Sequence, residues 1–219
     1  LKPAFWEVPE QWPGSTVVVI GGGRSLTAAQ VEWVRLARAR GECRVIGIND
    51  AYRLASWLDI LYFCDNKWWA WHRERLAGWA GLIVRLESPQ HDWSDTRIKV
   101  LKNYNEGGVI DCRDGVAHGS NSGYQAAHLA IHLGAKRIVL LGIDVKCDGS
   151  LQHWFGNHPD RASPPDYARW KKLFATMVEP AQKRGIEIIN CSPGSALECF
   201  RKDTIDRVLP DPPTAALSP

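Results

Sequence analysis

Three stretches of this 219-residue chain carry residue types at spacings that suit chemistry. The first is Gly21-Gly22-Gly23-Arg24-Ser25. Glycine lets the backbone turn sharply and lets a ligand approach the main chain with no Cβ in the way. Val17-Val18-Val19-Ile20 precedes the loop with the composition of a buried strand, and Thr27 and Gln30 follow it at capping-box spacing. A strand, a glycine turn and a helix N-terminus aim N–H groups and the positive end of the helix dipole at one point, which suits a phosphate. No Gly-Lys-Ser/Thr closes the loop, so it is not a P-loop. Gly21 and Gly23 match the first two glycines of the dinucleotide fingerprint, with Leu26 at the third place. A phosphate cradle and a tight turn that binds nothing both fit these residues.

The second stretch holds Asp144 and Asp148. Mg²⁺ takes one or two carboxylates together with donor phosphates and water, so the pair suits a metal role, and a capping role is the alternative for Asp144. The third is His153-Trp154-Phe155-Gly156-Asn157-His158. Histidine moves protons near neutral pH and binds phosphate when charged. Two of them flanking an aromatic pair suit a catalytic or substrate-gripping lid, or a surface loop plugged by Trp154 and Phe155. His128 and His132 stand four apart, a zinc spacing, but no acidic residue lies between them and no third ligand is evident. Satisfied or exposed helix histidines are expected there. The absence of a G-x-S-x-G elbow and of H-E-x-x-H disfavours serine hydrolases and zincins.

Alternating elements must position these groups. Helical periodicity runs over 28–40, with Val31, Val34 and Ala37 inward and Gly41 as its stop. Strands are expected at 17–20, 44–48, 58–64, 82–86, 137–144 and 186–190, and helices at 67–76, 121–133 and 166–184, the last interrupted near Pro180. A short helix is expected at 197–202. Residues 1–15 read as a loose lead-in, 16–209 as a single domain, 87–120 as an irregular insertion or small hairpin, 145–165 as an active-site loop and 210–219 as a disordered tail. This is a single-domain, Rossmann-like α/β pattern, a mainly parallel sheet with helices on both faces. Ligands of such sheets bind beyond the carboxyl ends of the strands, where the strand order reverses. Those ends present the glycine loop, Asn49-Asp50, Asp65-Asn66 and Asp144, while Ser120-Asn121-Ser122-Gly123 caps a later helix. Trp68, Trp69 and Trp71 suit stacking on a base or sugar, or packing on the sheet.

Composition bounds the rest. A hydrophobic fraction of 45% supports one substantial core, and a net charge of +3 demands no nucleic-acid partner. No apolar run reaches the ~18 residues of a membrane span. The opening residues lack the plan of a signal peptide. Six cysteines with no C-x-x-C pair read as free thiols of a cytoplasmic protein. A homo-oligomer is compatible with this composition.

Gly21-x-Gly23-x-Ser25-Leu26, Asn49 after the second strand, and Ser122-Gly123 opening a helix that leads into Leu140-Leu141-Gly142-Ile143-Asp144 together resemble the MptE-like family. This is the 6-hydroxymethylpterin diphosphokinase family with its phage and bacterial relatives. The same layout is similar to the bacterial sialyltransferases that use CMP-sugars. The resemblance covers about residues 16–195. It implies that Gly21, Gly22, Gly23 and Ser25 hold donor phosphate, that Asn49 contacts ribose or base, and that Asp65, Ser120, Ser122 and Gly123 line the donor. Diphosphoryl transfer from ATP to a small hydroxylated acceptor is the first expectation, with Asp144 and Asp148 holding Mg²⁺ and Asp144, His153 and His158 as catalytic candidates. Glycosyl transfer from a CMP- or other nucleotide-sugar is the second, and a non-catalytic nucleotide-binding phage or mobile-element protein the third. The sialyltransferases place tyrosines after the Gly-Ile-Asp strand, where this chain has Lys146 and Gln152.

Overall fold

The apolar runs pair into one parallel sheet. A computed structural model describes residues 4–89, 94–104, 107–147, 152–158 and 165–210. Its strands are β1 (Thr16–Ile20), β2 (Arg44–Ile48), β3 (Ile60–Phe63), β4 (Leu82–Leu86), β5 (Ile98–Asn103), β6 (Gly115–Val116), β7 (Arg137–Leu141), β8 (Glu187–Asn190) and β9 (Arg201–Lys202). They lie in the order β6-β5-β4-β3-β2-β1-β7-β8-β9, and every pairing is parallel. The helices are α1 (Ala28–Ala39), α2 (Asn66–His72), α3 (Ser122–His132), α4 (Tyr167–Ala175), α5 (Val178–Lys183) and α6 (Ile205–Val208). This is the Rossmann-like α/β architecture that the alternation predicts.

Period-two alternation splits the core into two layers. Val17 and Val19 of β1 face a cluster with Tyr124, Phe174 and Ala181, so α3, α4 and α5 cover that face. Val18 and Ile20 face Val31, Val34, Trp68 and Ile205, so α1, α2 and α6 cover the other. The capping box of α1 forms as its spacing predicts, with Thr27 accepting from the Gln30 N–H and the Gln30 side chain accepting from the Thr27 N–H.

Four local expectations are corrected. The lead-in packs: Val8 is fully buried, and the N–H groups of Trp6, Val8 and Trp12 donate to Val100, Arg113 and Leu133. The region read as an irregular insertion or small hairpin, with strand-like pieces at 98–101 and 109–111, instead extends the sheet: β5 forms over the first piece and β6 at 115–116, both parallel, and 109–111 forms no strand. The helix expected over 166–184 breaks at Thr176–Met177, and Pro180 falls in the first turn of α5, where its missing N–H costs nothing. No helix forms at 197–202, where β9 adds an edge strand, and α6 follows.

His128 and His132 are core groups. The Ala117 N–H donates to His128 Nδ1 at 3.1 Å, and His128 Nε2 lies 3.3 Å from the Ile110 carbonyl. His132 Nε2 lies 3.0 Å from the Gly115 carbonyl. The pair thus ties residues 110–117 and β6 to α3. Burial, with some repulsion from His132, pushes His128 down to about 3, and burial lowers His132 as well. A histidine depressed in the folded state binds fewer protons there than in the unfolded chain. Stability is therefore complete above the unfolded value near 6.5 and is lost as pH falls toward 3. The His128→Asn variant is expected to flatten this acid loss by up to about 1.4 kcal/mol per pH unit, read from urea midpoints at pH 7 and pH 4.5.

Candidate functional site

The strand order reverses between β1 and β7, and the glycine loop leaves β1 at that point. Two main-chain bonds close it onto β7's exit: Gly21 N–H to the Leu141 carbonyl and Gly23 N–H to the Gly142 carbonyl, both 2.8 Å. Glycine is obligatory here. A Cβ on Gly21 would stand 2.5 Å from the Gly142 carbonyl oxygen, and one on Gly23 would stand 2.5 Å from the Asp144 carboxylate. Asp144 is buried and accepts from the Ser25 N–H at 2.9 Å and from the Ser25 hydroxyl. Asp144 and Ser25 thus buttress the loop against each other.

A cleft of about 680 Å³ opens above this switch point. That is a volume typical of small-ligand sites. It gathers Gly21, Gly22, Gly23, Asn49, Asp65, Ser120, Ser122, Gly123, Asp144, His153 and His158, all expected from sequence. Ser25 does not line it, because its hydroxyl is turned to Asp144. Asp148 lies outside the described residues.

Among the described residues, the non-glycine residues with positive φ are Asn49, Ser120 and Val145, at 50°, 51° and 49°. All of them line the cleft. Such conformations cost about 1–3 kcal/mol each and persist where the surroundings over-determine them, as at functional sites. The determinants of Val145 are visible. Ser192 Oγ receives the Ile143 N–H at 2.9 Å, Ser195 Oγ donates to the Ile143 carbonyl at 2.7 Å, and the Ala196 N–H donates to the Asp144 carbonyl at 2.8 Å. Asn49 carries a second anomaly: its Oδ1 is buried with no hydrogen-bond partner. An unpaired acceptor beside a cleft is a place for a ligand donor group.

The histidine loop folds onto the glycine loop. The Trp154 N–H donates to the Gly22 carbonyl at 3.1 Å, and a Cβ on Gly22 would lie 3.1 Å from His153 Nδ1. The His153 and Phe155 rings stack at 4.8 Å, His158 lies 5.0 Å from His153, and Trp71 lies 6.2 Å from His158. Arg53 anchors the loop from beneath, its guanidinium 5.6 Å from the Trp154 ring and paired with buried Asp50 at 3.1 Å. Asp50 also receives the Trp68 indole N–H at 2.9 Å. Asp50 and Trp68 are therefore structural, Trp69 stacks on Phe63, and Trp71 alone of that helix's three tryptophans combines partial burial with a place in the cleft wall.

Ser122 Oγ lies 3.2 Å from Cys64 Sγ, and burial raises that thiol's pKa, which keeps it neutral. Asn121, not Ser120, caps α3, accepting from the N–H groups of Gly123 and Tyr124. Asp65 caps α2 through the Lys67 N–H at 2.8 Å. Among the cleft residues that sequence reading passed over are Cys64, Lys67, Ser88, Tyr167 and Trp170. Ser88, just beyond β4, was reachable by the strand-end rule. Tyr167 and Trp170 were not, because only tertiary packing brings α4 to the cleft.

Among the described residues no three His, Cys, Asp or Glu side chains converge as a metal-binding group. Asp144 accepts from Ser25 and Asp65 from the Lys67 N–H. No helix among them is long and apolar enough to cross a membrane. All six cysteines are free thiols.

No family model matches the chain, and no curated protein matches it by sequence. Among solved structures it is similar to the MAf glycosyltransferase from Magnetospirillum magneticum AMB-1, with a TM-score of 0.65 at 12% identity over 93% of this chain. The chain spans about a third of that protein's length, 35%. A likeness at this identity is one of fold, and the fold is what the two share.

Proposed function

We propose that this chain transfers a glycosyl group from a nucleotide-sugar to a small hydroxylated acceptor, as a relative of the Rossmann-like families its motifs resemble. The observation that carries the reading is the cleft at the β1–β7 switch point, where the glycine loop, the strained residues and the histidine loop meet. The fold shared with a glycosyltransferase supports the same reading. Diphosphoryl transfer would need metal-binding carboxylates, and Asp144 is committed to Ser25.

In this reading the donor phosphate lies in the cleft beside the glycine loop, next to His153, whose ring already covers Gly22. The acceptor hydroxyl attacks the anomeric carbon and His158 takes its proton as the new C–O bond forms. The bond from that carbon to the phosphate oxygen breaks, and its electron pair leaves with the phosphate. His153, when protonated, donates to that developing charge. Asn49 Oδ1 accepts a hydrogen bond from the nucleoside.

The test is thermal unfolding against CMP, UDP, ATP and CMP- and UDP-sugars, with and without Mg²⁺. A ligand at about 100 times its Kd stabilises by about 2.7 kcal/mol, roughly 5–10 °C here. A metal-independent rise with one nucleotide-sugar and release of its nucleotide on adding acceptor are expected. A rise with ATP that requires Mg²⁺ would overturn the reading in favour of phosphoryl chemistry. The Asn49→Gly variant relieves the positive φ, so it is expected to melt within about 1 °C of the parent or above it while losing roughly tenfold in nucleotide affinity.

A further inference from the structure

Arg85, near the carboxyl end of β4, is 1% exposed and has no ion-pair partner among the described residues. Its Nε donates to the Leu86 carbonyl at 2.9 Å, and its Nη2 donates to Asn66 Oδ1 at 2.7 Å and Ser88 Oγ at 3.1 Å. Its guanidinium carbon sits 5.1 Å from the Phe63 ring centroid. Every one of these partners is neutral. Asp65 acts on it only through its field, and that carboxylate is exposed and caps α2. A buried cation without a counter-ion is costly, so its retention asks for an anion.

The hydrogen bonds say where that anion goes. Ser88 Oγ accepts from Arg85 and also from Asn66 Nδ2 at 2.8 Å. Both of its lone pairs are filled, which leaves its proton to donate. Asn66 has its Oδ1 on Arg85 and one Nδ2 hydrogen on Ser88, which leaves the second hydrogen. Both residues line the cleft. Two donors polarised by a cation behind them make a receiver for an oxyanion. β4 stands three strands from β1, about 14 Å away. A phosphate held at the glycine loop does not reach it.

We propose that this end of the cleft is a subsite for a second anionic group of the substrate, a carboxylate or phosphate carried by the acceptor, with Ser88 and Asn66 as its contacts and Arg85 as the positioning residue behind them. The proposal rests on the glycosyl-transfer reading only in naming the acceptor as the carrier.

The test uses the full chain without nucleotide. Melting is followed in glucuronate, glucose 6-phosphate and glucose at matched ionic strength. At about 10 times Kd, at least one anionic sugar is expected to raise the melting temperature by roughly 3–6 °C, and glucose is not. Glucuronate alone marks a carboxylated acceptor, and glucose 6-phosphate alone a phosphorylated one. Ser88→Ala and Arg85→Met should each abolish the rise, and Arg85→Lys should restore part of it. Ser88→Ala sits at the cleft wall, so it reads the subsite even if Arg85→Met does not fold. Equal rises with glucose, an undiminished rise in Ser88→Ala, or no rise with either anion would overturn the proposal. A rise with anions alongside no response to any nucleotide would sink the glycosyl-transfer reading and leave the subsite standing.

Discussion

Gly21→Ala is expected to lower the melting temperature by about 6–12 °C, while Gly22→Ala, one residue on, leaves it within about 2 °C. The two glycines are equivalent in sequence and differ in what a Cβ would meet. At Gly21 the obstacle is the Gly142 carbonyl oxygen at 2.5 Å, together with Ile143 Cδ1. A carbonyl held in the β1–β7 connection cannot rotate away, so the strand ends must part and lose the bond from Gly21 to Leu141. Overpacking of this kind costs about 3 kcal/mol, and for a chain of this size each kcal/mol is worth roughly 2–4 °C. At Gly22 the obstacles are the His153 and Phe155 rings, at 3.1 and 3.3 Å. These are side chains of the histidine loop and can yield. The fold survives, but the loop is pushed off the phosphate position, and donor affinity should fall at least about tenfold. Melting curves and nucleotide titrations on the two variants decide the matter. Similar melting of both would mean that the loop is not clamped to β7 as described.

Asp144→Ala is expected to cost about 3 kcal/mol and at least about 100-fold in transfer, because it strips both acceptors from Ser25 and frees the glycine loop. Hydrogen bonds to charged groups contribute about 1.5–3 kcal/mol each. Ser25→Ala removes one of the two and should cost about half as much. The double variant should be no worse than Asp144→Ala, because the two side chains act as one unit. Asp144→Asn separates the readings. Its amide oxygen still receives the Ser25 N–H, so a buttress loses only about 1 kcal/mol and transfer is largely kept. A carboxylate that held metal would lose at least about 100-fold and would show it as a shifted Mg²⁺ dependence. We expect the first result, measured by urea unfolding and by initial rates across a Mg²⁺ titration.

The strand-loop-helix at residues 16–30 was legible because its determinants are local. Four apolar residues make a buried strand, three glycines a turn and Thr27 with Gln30 a cap, and each forms as its residue types dictate. β2, β4 and β7 were legible for the same reason. β6 was not, because two residues, Gly115 and Val116, carry no periodicity and pair only where β5 offers an edge. The lead-in was not, because Trp6, Val8 and Trp12 find their main-chain partners far along the chain, on β5, at Arg113 before β6 and at the end of α3.

For the site, the sequence by itself determined which strand ends would be polar and so which residues could meet, since a parallel sheet sends all its carboxyl ends to one edge. It also determined the glycines, whose missing Cβ atoms leave room for the crossing at Gly142. What only the tertiary structure decided is what each polar group does there. Asp144 receives Ser25, Asp50 receives Trp68 and Arg53, and Asn121 caps α3, each through a donor brought to it by the fold. Ser88 kept a donor at the cleft wall, and Asn49 Oδ1 is buried beside the cleft without a partner. Hydrogen-bond capacity is a property of residue type, but whether it is already filled depends on neighbours that the chain brings from far away, such as Asp144, which stands 119 positions from Ser25.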